Sequence, residues 1–229
     1  DFFLWFYLVF VVSSTMMPSE SDRHAWLPLG LWTAVLFTLA TFAGAGTWML
    51  ENLAYLPAVS PSREGAQTKP FYYVYGYNGL NTDDAKGTSN FKTYGVLYNW
   101  PAAKTACPAC WHLPSDEDWK QLELALGMTL EQANSLGSRG AESGAKMKTT
   151  DGWNKSGNGT NASQFSALPG GGRYGDGNFG NAGSNGFWWS ASAFDNSFAW
   201  GRGLGYDTSE LYKGVNYMES GFSVRCIKD

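Results

Sequence analysis

Between Gly159 and Ser192 the chain reads GTNASQFSALPGGGRYGDGNFGNAGSNGFWWSAS, a run in which Gly, Asn, Ser, Asp or Pro recurs every few positions. Such spacing does not support a helix. Glycine costs about 1 kcal/mol per helical position, and Asn, Ser and Asp side chains compete for nearby backbone groups. The segment therefore reads as loops bridging short strands. Composition extends the argument: 28 of the 229 residues are Gly, aromatics make up 16 % and charged residues only 16 %. A helical bundle needs more charge on its outer faces and far less Gly. The formal net charge of −4 argues against nucleic acid as a partner, because phosphate binding needs a basic face and no Lys/Arg run supplies one.

The best helix signal follows Pro114. Ser115 is a good N-cap with Asp118 three residues on, and Asp116 and Glu117 place negative charge at the positive end of the helix dipole. Trp119, Leu122 and Leu126 then share one face, and Gly127 ends the helix. Pro101–Ala106 reads as a helical turn or two, and Glu131–Leu136 as a weaker second helix. Short strands are expected within Trp48–Pro57, Phe71–Gly79, Tyr94–Trp100, Phe187–Ser190, Phe198–Leu204 and Gly221–Ile227. Residues 58–70 and the polar stretch NTDDAKGTSN (Asn81–Asn90) read as connections. A few helices among many short strands make an α+β fold.

Residues 1–46 are of different material. Runs 2–12 and 26–46 contain no charged side chain, and the second, 21 residues long, is about enough to cross a ~30 Å hydrocarbon core at ~1.5 Å per residue. Its best helical part is Leu29–Phe42. Two readings compete: a membrane anchor, or a secretion signal with Arg23 as the positive flank, Leu27–Ala40 as the apolar core and Ala43-Gly44-Ala45 as the cleavage site. Either sends residues 47–229 across the membrane, since positive flanks stay in the cytoplasm. The division is thus 1–46, a signal or anchor segment, and 47–229, a folded domain.

The ordered set WMLENL, YGVLYNWPAA, CP-x-x-WHLPSDEDW, Gly152-Trp153, FSALPGG, FWWSAS and GFSVRC resembles the Fibrobacter succinogenes major paralogous domain over Trp48–Asp229. Such domains are common in secreted and lipid-anchored proteins of Bacteroidetes and Fibrobacteres, so the resemblance implies an extracytoplasmic place on or near a bacterial cell surface. It also implies a C-type-lectin-like fold: small antiparallel sheets, one or two helices, paired chain ends and long ordered loops. Cys107 and Cys226 resemble the family's two recurrent cysteines and are expected to be bonded. The sequence departs from the family in two places. Cys110 stands where Gly is usual, and the strand pair usual before WM-x-ENL is replaced by the apolar run ending at Gly46.

No catalytic set, metal site or cofactor is expected. Cys107-Pro108-Ala109-Cys110 does not open a helix as a redox motif should, and zinc binding by Cys107, Cys110 and His112 lacks a fourth ligand. His112 reads as a structural histidine, and Asp116, Glu117 and Asp118 as helix caps. The same superfold includes formylglycine-generating enzymes, but their copper chemistry uses two nearby cysteines close to the carboxy terminus, where this chain has only Cys226. The aromatic-rich stretch Phe187–Tyr217, interleaved with Asn, Ser, Asp and Gly, suits recognition, because aromatic faces give contact area at low entropy cost. The candidate contact residues are Phe194, Asp195, Asn196, Trp200, Arg202, Tyr206, Asp207 and Tyr212. The expectation is a non-enzymatic module binding a glycan or a surface protein. Alternatives are a variable receptor of the diversity-generating-retroelement type, a structural surface protein, or an enzyme of the formylglycine-generating superfold.

Overall fold

Short elements joined by ordered loops make up the computed structural model, which describes residues 39–42 and 44–229. In chain order they are β1 (Leu39–Phe42), β2 (Gly46–Met49), β3 (Tyr72–Tyr73), α1 (Thr82–Gly87), α2 (Ser89–Tyr94), β4 (Leu97–Tyr98), α3 (Trp100–Ala106), β5 (Trp111–His112), α4 (Asp116–Ala125) and α5 (Leu130–Asn134). There follow β6 (Gly137–Arg139), α6 (Ser143–Met147), β7 (Gly170–Arg173), β8 (Phe179–Ala182), β9 (Asn185–Ala193), β10 (Phe198–Gly205), β11 (Leu211–Tyr217) and β12 (Ile227–Lys228). The fold is α+β. A four-stranded sheet runs β1-β2-β12-β5, a six-stranded sheet β6-β11-β10-β9-β7-β8, and β3 pairs with β4.

Helix α4 follows from its sequence. Ser115 Oγ accepts from Asp118 N, and Asp118 Oδ2 accepts from Ser115 N, so the two residues satisfy each other's orphan groups. The polar stretch read as a connection is instead two helices. Asn81 caps α1 by accepting from Asp83 N and Asp84 N, and Thr88 closes α1 while its side chain caps α2. The strand expected over Phe71–Gly79 shrinks to Tyr72–Tyr73, because the chain turns at Gly76, whose φ is +72°. Leu39–Phe42, placed by composition at the end of an apolar helical run, is extended and forms a hairpin with Gly46–Met49 in register Ala40↔Trp48. Residues 26–38 lie outside the described residues, as does the first apolar run, 2–12. Among the described residues no helix is long and apolar enough to cross a membrane.

The tail Gly221–Ile227 does not form the continuous strand expected of it. Phe222 bridges Tyr98, Ser223 bridges Trp188, Val224 O accepts from Leu53 N, and only Ile227 enters a ladder, between Trp48 and His112. One segment serving this many partners cannot stay in one sheet. Within it, Cys226 is bonded to Cys107 across a separation of 119 residues, with Cα atoms 5.9 Å apart. Closing a loop of that length stabilises by about 4–5 kcal/mol on the chain-entropy account.

Two hydrophobic clusters lie on opposite faces of β9. Trp188 packs with Trp48, Trp119, Leu122, Phe165 and Leu204; Trp189 packs with Tyr98, Phe222, Val224 and Cys226. Consecutive strand residues point to opposite faces, and both tryptophans are fully buried because both faces are covered. Their indoles are satisfied: Trp188 Nε1 donates to Asn52 Oδ1 (2.9 Å) and Trp189 Nε1 to Tyr98 O (2.7 Å). Asn52 Oδ1 also accepts from Arg225 Nη2, whose guanidinium lies 4.4 Å over the Phe165 ring and donates to the Met49 and Phe165 carbonyls. Burial pushes Arg225 down to about 9, opposed by the Glu51 carboxylate.

Candidate functional site

Helix α4 rests on the six-stranded sheet through buried charge. Arg202 of β10 donates to Asp116 Oδ1 (2.9 Å) and to Glu123 Oε1, Arg139 of β6 donates to the same Glu123 oxygen (2.7 Å), and Lys213 of β11 donates to Asp116 Oδ2 (2.9 Å). Burial alone would raise the Asp116 carboxyl, but hydrogen bonds and charge from Lys213 and Arg202 hold it below its ordinary value. Burial lowers Lys213 and Arg139, with Asp116 and Glu123 respectively opposing. Asp116 is therefore more than a dipole partner; it ties three elements together. Each buried cation meets a carboxylate, with the two carboxylates shared among three cations.

The eight candidate contact residues do not form one surface. Arg202 is corrected outright: at 1 % exposure it belongs to the buried network and offers no face to a ligand. Phe194 and Trp200 sit edge to face at 5.2 Å on the α4 side of the sheet, with Lys213 Nζ 5.0 Å from the Trp200 ring. Asp195 Oδ1 accepts from Ser197 N and Phe198 N, so one oxygen is spent on the β9–β10 turn, while Asn196 stands exposed at its tip. Tyr206 is half-buried after β10, its hydroxyl accepting from Lys155 Nζ (3.3 Å). Tyr212 and Asp207 lie together elsewhere, at a cleft of about 300 Å³ on the other face.

That cleft is made by glycine. Gly203 pairs with Phe187 of β9 on one side and Tyr212 of β11 on the other. A Cβ at Gly203 would meet Phe187 Cδ1 at 3.3 Å and Tyr212 Cβ at 3.7 Å, so the two aromatic residues close over a buried stretch of backbone that has no room for a side chain. Tyr212, 47 % exposed, lies flat across Gly214, where a Cβ would sit 2.6 Å from its ring. Asn185, Asp207 and Glu210 complete the rim. Lys148 holds the floor from beneath, its Nζ donating to Gly205 O (3.0 Å) and Thr208 O (2.8 Å); burial lowers it and Asp207 opposes. Phe187, Asn185, Gly203 and Glu210 were not among the residues selected from sequence. The signal was Gly201, Gly203 and Gly205 alternating with Trp200, Arg202 and Leu204, a strand pattern that leaves one face bare.

A scan against protein-family models matches residues 43–228 to the Fibrobacter succinogenes major domain. The chain belongs to that family. Searches of curated proteins and of solved structures each found no match. Several motifs that carry the resemblance now have physical roles in this Fibrobacter succinogenes major domain. Asn52 of WMLENL joins Trp188 of FWWSAS to Arg225 of GFSVRC, and Ser115 with Asp118 starts α4. Cys110, in the place where Gly is usual, has φ +65°, the left-handed region that glycine adopts at no cost. Cys110 is exposed and free, and Cys107 is committed to Cys226, so the C-x-x-C does not close on itself. His112 Nδ1 lies 2.6 Å from Asp229 Oδ1 and its Nε2 3.5 Å from Asp118 Oδ2, a tie between the tail and the start of α4.

Proposed function

We propose that this domain is an exported, surface-displayed binding module of C-type-lectin-like fold that holds a glycan in the cleft between Phe187 and Tyr212. The observation that carries the reading is the cleft of about 300 Å³ beside Phe187 and the exposed Tyr212, bordered by Asn185, Asp207 and Glu210. A sugar ring stacks on an aromatic face and needs hydrogen-bonding groups at its rim, and the cleft offers both. The two-sided burial of β9 and the ionic tie to α4 fix the walls beforehand, which lowers the entropy lost on binding. Export is supported by the Cys107–Cys226 disulfide, since such bonds persist in oxidising compartments. The lectin-like fold is supported by β12, near the carboxy terminus, pairing with β2, and by the long connection between α6 and β7.

A glycan array probed with the full chain tests the reading. Tyr212→Ala and Gly203→Val are each expected to weaken binding about tenfold or more, which corresponds to roughly 1.4 kcal/mol. Binding that survives both substitutions moves the site elsewhere. Binding to protein partners alone, with no glycan retained, overturns the glycan reading.

A further inference from the structure

Strand β11 is paired on its outer side for only part of its length. Leu211, Tyr212 and Lys213 face Arg139, Ser138 and Gly137 of β6, and β6 begins at Gly137, just after α5 and its cap Ser135, so it does not run beside the rest of β11. Gly214–Tyr217 therefore has β10 on one side and, among the described residues, no strand on the other. Met218 N donates to Ser197 O (2.9 Å), which fixes the phase of the β10–β11 ladder. Gly214 and Asn216 turn their backbone groups toward β10, and Val215 and Tyr217 turn theirs outward. The same two residues keep their side chains exposed, Val215 at 38 % and Tyr217 at 53 %. They stand opposite Trp200 and Phe198 of β10, with the Phe198 and Tyr217 rings 4.4 Å apart. After Tyr217 the chain turns, Ser220 N donating to Tyr217 O (2.9 Å), so the open edge has a stop at each end.

From this edge we infer that two copies of the chain pair through Gly214–Tyr217, antiparallel about a two-fold axis at Asn216. An edge with open N–H and C=O groups is a template for another strand. A second copy fits it because antiparallel pairing of an edge with itself is self-complementary. With Asn216 at the axis, Val215 exchanges both backbone bonds with the partner's Tyr217, and the symmetry repeats the exchange. Tyr217 O already accepts from Ser220 N, and its second lone pair serves the pairing. Val215 and Tyr217 side chains then meet across the axis as an aromatic–β-branched pair, formed twice. Centring on Val215 instead would set Tyr217 against Lys213, whose outward groups are spent on Gly137. So short a pairing lies well under the ~1,200–2,000 Å² of a standard stable interface, and the association is weak and reversible. Tyr212 lies outside the paired stretch, so the inference does not depend on what the cleft binds.

The test is cross-linking of the full chain in a Cys110→Ser background, which removes the exposed thiol, with Asn216→Cys added. At the axis Asn216 forms a non-hydrogen-bonded pair with its copy, with Cα atoms about 4.5 Å apart, a span a disulfide bridges. Under mild oxidation the linked dimer is expected to form at least about tenfold faster than in an Asn196→Cys control at the exposed tip of the β9–β10 turn, because pairing holds the thiols at high effective concentration. Val215→Pro deletes an outward N–H and leaves the β10 ladder intact, as Pro on an edge strand does, and should bring the rate down to that of the control. Val215→Lys/Tyr217→Lys, at two exposed positions, sets like charges opposite each other and should do the same. Circular dichroism identifies which variants are folded, and if the proline variant unfolds the lysine pair decides alone. Equal rates for Asn216→Cys and Asn196→Cys, or a rate unchanged in a folded edge variant, overturns the inference.

Discussion

Strands β10 and β11 carry Trp200, Arg202, Leu204 and Lys213 on one face and Gly201, Gly203, Gly205 and Gly214 on the other. The first face is filled by α4 and by the tryptophan cluster around Trp188. At its Trp189 end the second face is covered by the other core, and from Gly203 onward its buried backbone borders the cleft between Phe187 and Tyr212. One alternation has produced a face that holds the domain together and a face that borders the cleft. Large side chains are affordable on the first because α4 brings carboxylates to meet Arg202 and Lys213; glycine is useful on the second because Phe187 and Tyr212 leave no room at Gly203 for a side chain.

The contrast is open to direct attack, and the largest effect belongs to the covered face. Arg202→Met removes the guanidinium shared by Asp116 and Glu123 and should cost about 3–5 kcal/mol in chemical denaturation, the range for a broken buried pair. A loss below about 1 kcal/mol would mean that the network is not what fixes α4 to the sheet. Next is Asp116→Asn, expected to cost about 1–3 kcal/mol at pH 7, when charge-assisted bonds from Lys213 and Arg202 are lost. The sign of its pH dependence follows from the lowered carboxyl. Its contribution is complete above the unfolded-state value, near pH 4, and fades as pH falls through the lower folded value. The difference between wild type and Asp116→Asn should therefore narrow from pH 7 to about pH 3; a constant difference would contradict the ionic account. Smallest is Tyr212→Ala at the cleft, expected to change stability by less than about 0.5 kcal/mol while weakening glycan binding about tenfold or more. If Tyr212→Ala unfolded the domain as readily as Arg202→Met, the two faces would not differ in kind.

How far the sequence disclosed this arrangement depends on the range of the interactions. Helix α4 was readable because its capping groups, Ser115 and Asp118, lie three residues apart. Helices α1 and α2 obey the same rule through Asn81 and Thr88, but each spans only six residues and the stretch looks polar throughout, so the caps passed for loop residues. Strand β11 was missed for a non-local reason. Its burial runs against polarity, with Lys213 buried and Tyr212, Val215 and Tyr217 exposed, and Lys213 is buried because it meets Asp116 from a distant helix. Without β11 the glycine strip of β10 had no second wall, and the cleft could not be located. The same cause misplaced Arg202, whose charge suggested a surface contact but whose partners, Asp116 and Glu123, are both brought by α4. The cysteine pairing came from family resemblance rather than from spacing, and the bond joins residues that nothing local connects.

The adjacency of Trp188 and Trp189 has a consequence for how the domain comes apart. One nine-residue strand supplies a central ring to each cluster, so neither cluster can dissolve while the other keeps its tryptophan in register. Melting is therefore expected to proceed as a single cooperative event, with the slowest amide exchange along β9 rather than divided between two independently opening halves.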